Sequence, residues 1–344
     1  MTLFSTIPTI YSASDAASWT MAVSPFLEQA SNVKLLLSGN IGFYEFYVDT
    51  NPFVTGLILA LMIGVFLWAV SVQTGNTSQV DRAWPILPTV FSIHFLIYGM
   101  LFNIASRRLM IMVFLQSLWS VRLTYNYYRK GGYKRGAEDY RWLTVRDSMP
   151  PYLYPILHFF YIHIFQTLHL YWLACPTYIA MLAANARSFG LLDCVALELF
   201  MVTFAIEIMA DQQQWDFYQA RELYSNNEEL PGNLNFELMT LAKGFNTYGL
   251  FKWSRHPNFL AEQVIWFVFY SFGAIASKTW VNWTILGPLG LVGVFQASTR
   301  LTEMISLKKY PLYSLYSRKV GRFFPRLDGS HWEPIDEDSS LKTE

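Results

Sequence analysis

The chain has 344 residues, of which 53% are hydrophobic and 17% aromatic, and only 15% carry a charge. Soluble domains carry about 25% charged residues, so this composition argues against a soluble globular protein and for one whose solvent is lipid. Basic and acidic residues balance at 25 each, for a formal net charge of zero, which removes nucleic acid as an expected partner.

Residues 1–52 form a Ser-rich, aromatic lead that reads as weakly structured, lumenal or interfacial. It lacks a charged segment running into an apolar core, so no cleavable signal peptide is expected and the first span serves as the targeting signal. From residue 53, apolar stretches recur near 53–73, 85–106, 109–122, 152–183, 189–210, 258–278 and 281–298, which gives about seven spans by length and hydropathy. The expected fold is all-α, a polytopic membrane helix bundle over 53–326, with an acidic, disordered tail over 327–344. Nothing in the pattern suggests an internal repeat or a second globular domain. Oligomeric state is not readable from it.

Lys and Arg set the expected orientation. Seven of them follow the third stretch, from Arg122 to Arg146, and six lie in the tail from Lys308 to Arg326. With seven spans both groups fall on one side, the cytosol, which leaves the N-terminus lumenal and the C-terminus cytosolic. Arg107 and Arg108 fall on the other side and depart from the rule. Cys175 and Cys194 lie in apolar stretches and read as buried small hydrophobes.

Several polar groups stand at the ends of these stretches, where charge is costly and a function is the default reading. The segment from Arg122 to Tyr133, followed by Glu138 to Trp142, joins basic residues to aromatics and a Gly pair. Phosphate and an adenine ring would suit those partners, and an ordinary positively charged loop with interfacial aromatics would look the same. His158 and His169 share a helical face about 16 Å apart with His163 rotated away, so these three read as structural and no metal site is expected. Glu207 and Asp211 are four apart on one helical face and can accept from hydroxyl or amide groups, or pair with the basic segment. Between Gly249 and Gln263, Pro257 fits a first helical position, with Arg255 and His256 at its mouth and Asn258 and Glu262 on one face. Free N–H groups and an Arg there would suit an anion. Arg300 and Glu303 belong to a basic, amphipathic end piece that also reads as a membrane-surface helix. There is no Gly-rich dinucleotide fingerprint, Walker loop or zinc spacing, so a nucleotide would have to bind between helices, on the cytosolic face.

Residues 249–263 and the run Ser298 to Pro311, together with Asn76 to Trp84, the Arg122 to Trp142 segment and Glu207 to Gln212, resemble the steroid 5-alpha-reductase-like membrane proteins, in particular their DUF1295 branch. The resemblance covers most of residues 55–326. It implies an endoplasmic reticulum enzyme of lipid metabolism, an oxidoreductase that reduces an activated carbon–carbon double bond in a sterol, polyprenoid or fatty chain with NADPH. It implies cofactor contacts at Asn258, Glu262 and Asp211, a less secure one at Glu207, and phosphate contacts at Arg122 and Arg129, with Arg255 and His256 beside them. Arg300 and Glu303 stand where the reductases carry His and Tyr, which puts steroid specificity in doubt. Asp81, with Tyr125 as a weaker choice, is the candidate for the acid near the substrate carbonyl. The alternatives are an S-adenosylmethionine-dependent membrane methyltransferase, whose family shares an Arg-His-Pro triplet, and a non-catalytic lipid-binding or scaffold protein.

Overall fold

A computed structural model describes residues 6–234 and 236–333. Among these the chain is helical, with no strand and one isolated parallel bridge, Ser254 to Gly321. Each of the seven apolar stretches is helical. In chain order these are α1 (Pro52–Thr74), α2 (Leu87–Leu101), α3 (Arg107–Arg129), α4 (Gln166–Leu182), α5 (Leu191–Ser225), α6 (Pro257–Ser277) and α7 (Leu286–Lys309), and a short α8 (Tyr313–Lys319) follows. Two of them, α1 and α6, are long and apolar enough to cross a membrane.

Local chemistry sets the ends. Asn51 caps α1 by accepting from the Phe53 N–H at 2.9 Å, Pro52 occupies the first turn, and Gly75 stops the helix in the left-handed region at φ +63°. Ser106 caps α3 in the same way through the Leu109 N–H. Nearly every residue of α4 is buried, from Leu170 to Met181, and a helix apolar all round belongs at a core. Gly56 of α1 lets it approach α4 closely, since a Cβ there would lie 2.7 Å from the Tyr171 ring.

The chain divides into two compact units, residues 1–200 with 266–291, and residues 201–265 with 292–344. In the first, Arg108 and Asp193 form a fully buried ion pair at 2.6 Å, and the guanidinium also donates to the Arg187 and Ser188 carbonyls. That accounts for the basic residue on the unexpected side: its charge is matched inside the fold. Large apolar side chains stay exposed on outward faces, among them Met62, Val65 and Phe66 of α1, Phe114 of α3 and Leu199, Val202 and Met209 of α5.

The structure departs from the sequence reading in six places. The lead is not weakly structured: it forms short helices, Trp19 packs on Phe53, Trp172 and Trp283, and the Tyr178 hydroxyl donates to the Ala22 carbonyl at 2.6 Å. These partners are far away in sequence, so no local pattern announces them. The Arg122 to Arg129 stretch is the end of α3 rather than a loop. The helix of the fifth stretch, expected near 189–210, runs on to Ser225, and the polar stretch after it folds back on it, with Leu234 and Leu241 against Phe217 and Ala220. Cys175 is buried as expected, but Cys194 is exposed on the outward apolar face of α5. Residues Leu157–Phe165 are a π-helix, whose wider turn breaks the 100° rule and brings the His158 and His163 rings to 4.6 Å. Of the acidic tail, residues 334–344 lie outside the described residues, while Trp332 is buried and its N–H donates to the Lys252 carbonyl.

Candidate functional site

In the second unit the polar groups of residues 249–263 are assembled by close approaches. Gly249 has φ +61°, and a Cβ there would lie 2.4 Å from Gln213 of α5, whose side chain accepts from the Leu250 N–H at 2.8 Å. The chain then pairs with residues after α8: the Arg255 N–H donates to the Gly321 carbonyl and the His256 N–H to that of Arg322. This pairing delivers Pro257 to the first position of α6, as its spacing predicts.

Glu303 of α7 is the hub. Its Oε1 accepts from Arg255 Nε at 2.7 Å and faces His256 Nε2 at 3.1 Å, and its Oε2 accepts from Arg322 at 3.0 Å. Burial works to raise this carboxyl, but the bonds from His256 and Arg255 dominate and hold it at about 2. His256 is pushed below its usual value, chiefly by burial, and stays neutral at physiological pH. Arg255 also donates to the carbonyls of Ser317 and Val320. Two of the cations expected to meet a ligand or the membrane surface, Arg255 and Arg322, therefore hold the C-terminal segment instead.

On α6, Asn258 donates to Asp211 of α5 at 3.2 Å, so two residues separated by 47 positions meet. Glu262, one turn on, is buried, as are Asp211 and Glu207. Arg300 lies exposed, one turn from Glu303 on the same helix. Sequence reasoning did not find Gln213 or the partnership of Arg322 with Glu303. The left-handed glycine was the available signal for the first, and the second had none.

In the first unit, residues 76–84 and 132–146 are knitted together. The Thr77 N–H donates to Glu138 at 2.8 Å, and Arg146 reaches Thr77, Glu138 and the Tyr154 hydroxyl. Arg82 donates to the carbonyls of Gly132, Lys134 and Ala137, and Asp139 takes two side-chain bonds from Arg141. Burial works to raise Asp139, but those bonds keep it below its usual value. Much of the basic segment is thus engaged in building its own loop.

Asp81 sits inside this knot and accepts from the Trp142 indole N–H at 2.7 Å. Burial raises its carboxyl above the ordinary value, with the Arg141 charge and the Trp142 bond opposing. Tyr125 does not stand beside it: that ring is exposed on α3, with the Arg129 guanidinium 5.6 Å from its centre. The neighbour is Tyr127, whose hydroxyl is raised by burial and then by the charge of Asp81, and whose ring packs against Gly132 and Tyr133. Arg122 and Arg129 lie on one face of α3, and Arg129 donates to Asn126 at 2.9 Å.

Among the described residues no group of three or more His, Cys, Asp or Glu is placed to hold a metal ion. A family profile described as "Protein of unknown function (DUF1295)" matches residues 67–320. An uncharacterized protein of Schizosaccharomyces pombe is 66% identical over 342 residues, 99% of each chain. No solved structure matches.

Proposed function

The chain belongs to the DUF1295 family, and from that premise we propose that it is a membrane-embedded reductase that uses NADPH to saturate an activated carbon–carbon double bond in a lipid. The observation that carries this reading is the meeting of Asn258 and Asp211 at the first turn of α6, with Glu262 one turn further and Glu207 one turn back, both buried. An amide and buried carboxylates suit the ribose hydroxyls and carboxamide of a nicotinamide nucleotide, which are donors. Within this second unit the exposed Arg300 is the cation for its phosphates, while Arg255, His256 and Glu303 act by position, fixing the start of α6. The resemblance to steroid 5-alpha-reductase-like proteins supports the same assignment. Exposed apolar faces on α1, α3 and α5 support an integral membrane protein; the seven-span layout in the endoplasmic reticulum with a lumenal N-terminus is proposed from run lengths, the distribution of Lys and Arg and the family resemblance.

NADPH supplies the hydride when bound; the protein's part is to orient the reactants and supply a proton. Asp81, raised by burial, keeps its proton to higher pH than an ordinary carboxyl and is the acid for the oxygen on which charge develops, with Trp142 fixing its orientation. Tyr127 takes the supporting place first given to Tyr125. The substrate is an apolar lipid with an enone-like group.

One observation favours a second reading. With Arg255 and Arg322 bound to Glu303, the second unit offers carboxylates more than cations, and S-adenosylmethionine has ribose hydroxyls but no phosphate. Thermal stabilisation of the purified protein separates the two. NADPH raises the melting temperature of the wild type but not of Asn258→Ala or Glu262→Ala if the reductase reading holds. Stabilisation by S-adenosylmethionine alone would replace it with methyl transfer, and by neither with a non-catalytic lipid-binding role.

A further inference from the structure

The N-terminal lead encloses a cavity of about 820 Å³ together with α1 and α2. Two short helices of the lead, Asn32–Leu37 and Phe43–Val48, form one wall. Ile58, Leu59 and Met62 of α1 form another. The volume falls within the range of small-molecule sites, about 300–1,000 Å³. No lining side chain is charged.

The cavity has a polar floor with a defined direction. His94 Nε2 lies 2.9 Å from the Pro52 carbonyl, which can only accept, so Nε2 carries the proton and Nδ1 offers a lone pair. The Tyr47 hydroxyl, 3.0 Å from Nδ1, must then donate to it. Its phenolic oxygen keeps acceptor capacity toward the cavity. The opening is apolar: the lining continues from Met62 onto the exposed α1 face at Val65 and Phe66, and the exposed rings of Phe43 and Tyr44 stand at the mouth. α1 is long and apolar enough to cross a membrane, and in a bilayer such a mouth would face the hydrocarbon.

We propose that this cavity binds a neutral membrane amphiphile with one hydroxyl, the apolar body lying along α1 and the hydroxyl donating to Tyr47. Absence of a cation in the lining selects against anionic headgroups, because a buried unpaired carboxylate or phosphate is costly. All of the lining except His94 precedes residue 67, where the family match begins, so most of the site lies outside the region shared across the family. It does not depend on the reductase reading and would stand if the chain reduced nothing.

The test is photo-crosslinking of the full-length protein in liposomes with a diazirine- and alkyne-bearing long-chain fatty alcohol, and with the matching fatty acid as anionic comparator. Adducts are mapped by peptide mass spectrometry. The alcohol should label residues 43–62 saturably, and unlabelled alcohol should compete. Filling the cavity with Ile58→Trp should lower that labelling about tenfold. Tyr47→Phe, which removes only the oxygen, should lower it about fivefold. Labelling spread evenly over the exposed faces of α1, α3 and α5, labelling unchanged in Ile58→Trp, or equal labelling by the acid would overturn the proposal.

Discussion

Glu303 shows how one residue can outweigh its surroundings. A carboxylate on a basic amphipathic segment looks incidental, yet Arg255, His256 and Arg322 converge on it from two other parts of the chain. Its folded value near 2 lies below the ordinary 4.5, so its stabilisation is fully present above about pH 4.5 and is lost as pH falls toward 2. The expected size is on the order of 3 kcal/mol. Glu303→Gln should abolish that acid sensitivity and lower stability at neutral pH by about 3–5 kcal/mol, because two cations lose their partner. Melting in detergent from pH 7 to pH 3 measures both, and an unchanged pH profile in the variant would remove Glu303 from this role. Asp81 has the opposite sign. Its raised value means that ionisation costs stability as pH rises through it, so Asp81→Asn should leave the melting temperature at neutral pH equal or higher. Turnover should nevertheless fall about 10²- to 10⁴-fold, the range for losing a general acid. A variant that melts earlier and keeps its turnover would make Asp81 structural.

At the scale of elements, the Arg108–Asp193 pair joins the first turns of α3 and α5 with both side chains buried. Arg108→Ala or Asp193→Ala alone should cost about 3–5 kcal/mol by leaving a buried charge, while the double change Arg108→Met with Asp193→Leu should recover most of it. A double variant as unstable as either single one would show that the carbonyl bonds to Arg187 and Ser188 carry the junction instead. The positions of the seven helical stretches were legible because hydrophobic run length and caps such as Asn51–Pro52 and Pro257 are local signals. The π-helix at Leu157–Phe165 was not legible, since its i→i+5 bonds leave no trace in hydropathy, and neither was the continuation of α3 to Arg129, where polar residues remain helical. Pairings such as Glu303 with Arg322 depend on how distant segments return, which composition and period do not encode.

For the whole molecule, the lead was the part least legible. Its aromatics read as interfacial, and they instead bolt onto α1 and α4 through Trp19 and Tyr178. The candidate site was legible in part: Asn258 and Asp211 do meet, and Asp81 is half-buried beneath Trp142, but Arg255 is drawn to the segment after α8 and Tyr125 faces outward. The layout proposed from Lys and Arg predicts that a C-terminal tag is cleaved by protease added to intact microsomes while an N-terminal tag is protected; protection of both or of the C-terminal tag alone would reject it. The central claim, hydride transfer from NADPH to a lipid double bond, is tested most directly with NADPH deuterated at the transferred position. Membranes containing the protein should yield a lipid with two more hydrogen atoms than its precursor, one of them deuterium, and Asn258→Ala membranes should not. Lipid extracts with no deuterium above that of membranes lacking the protein would contradict it.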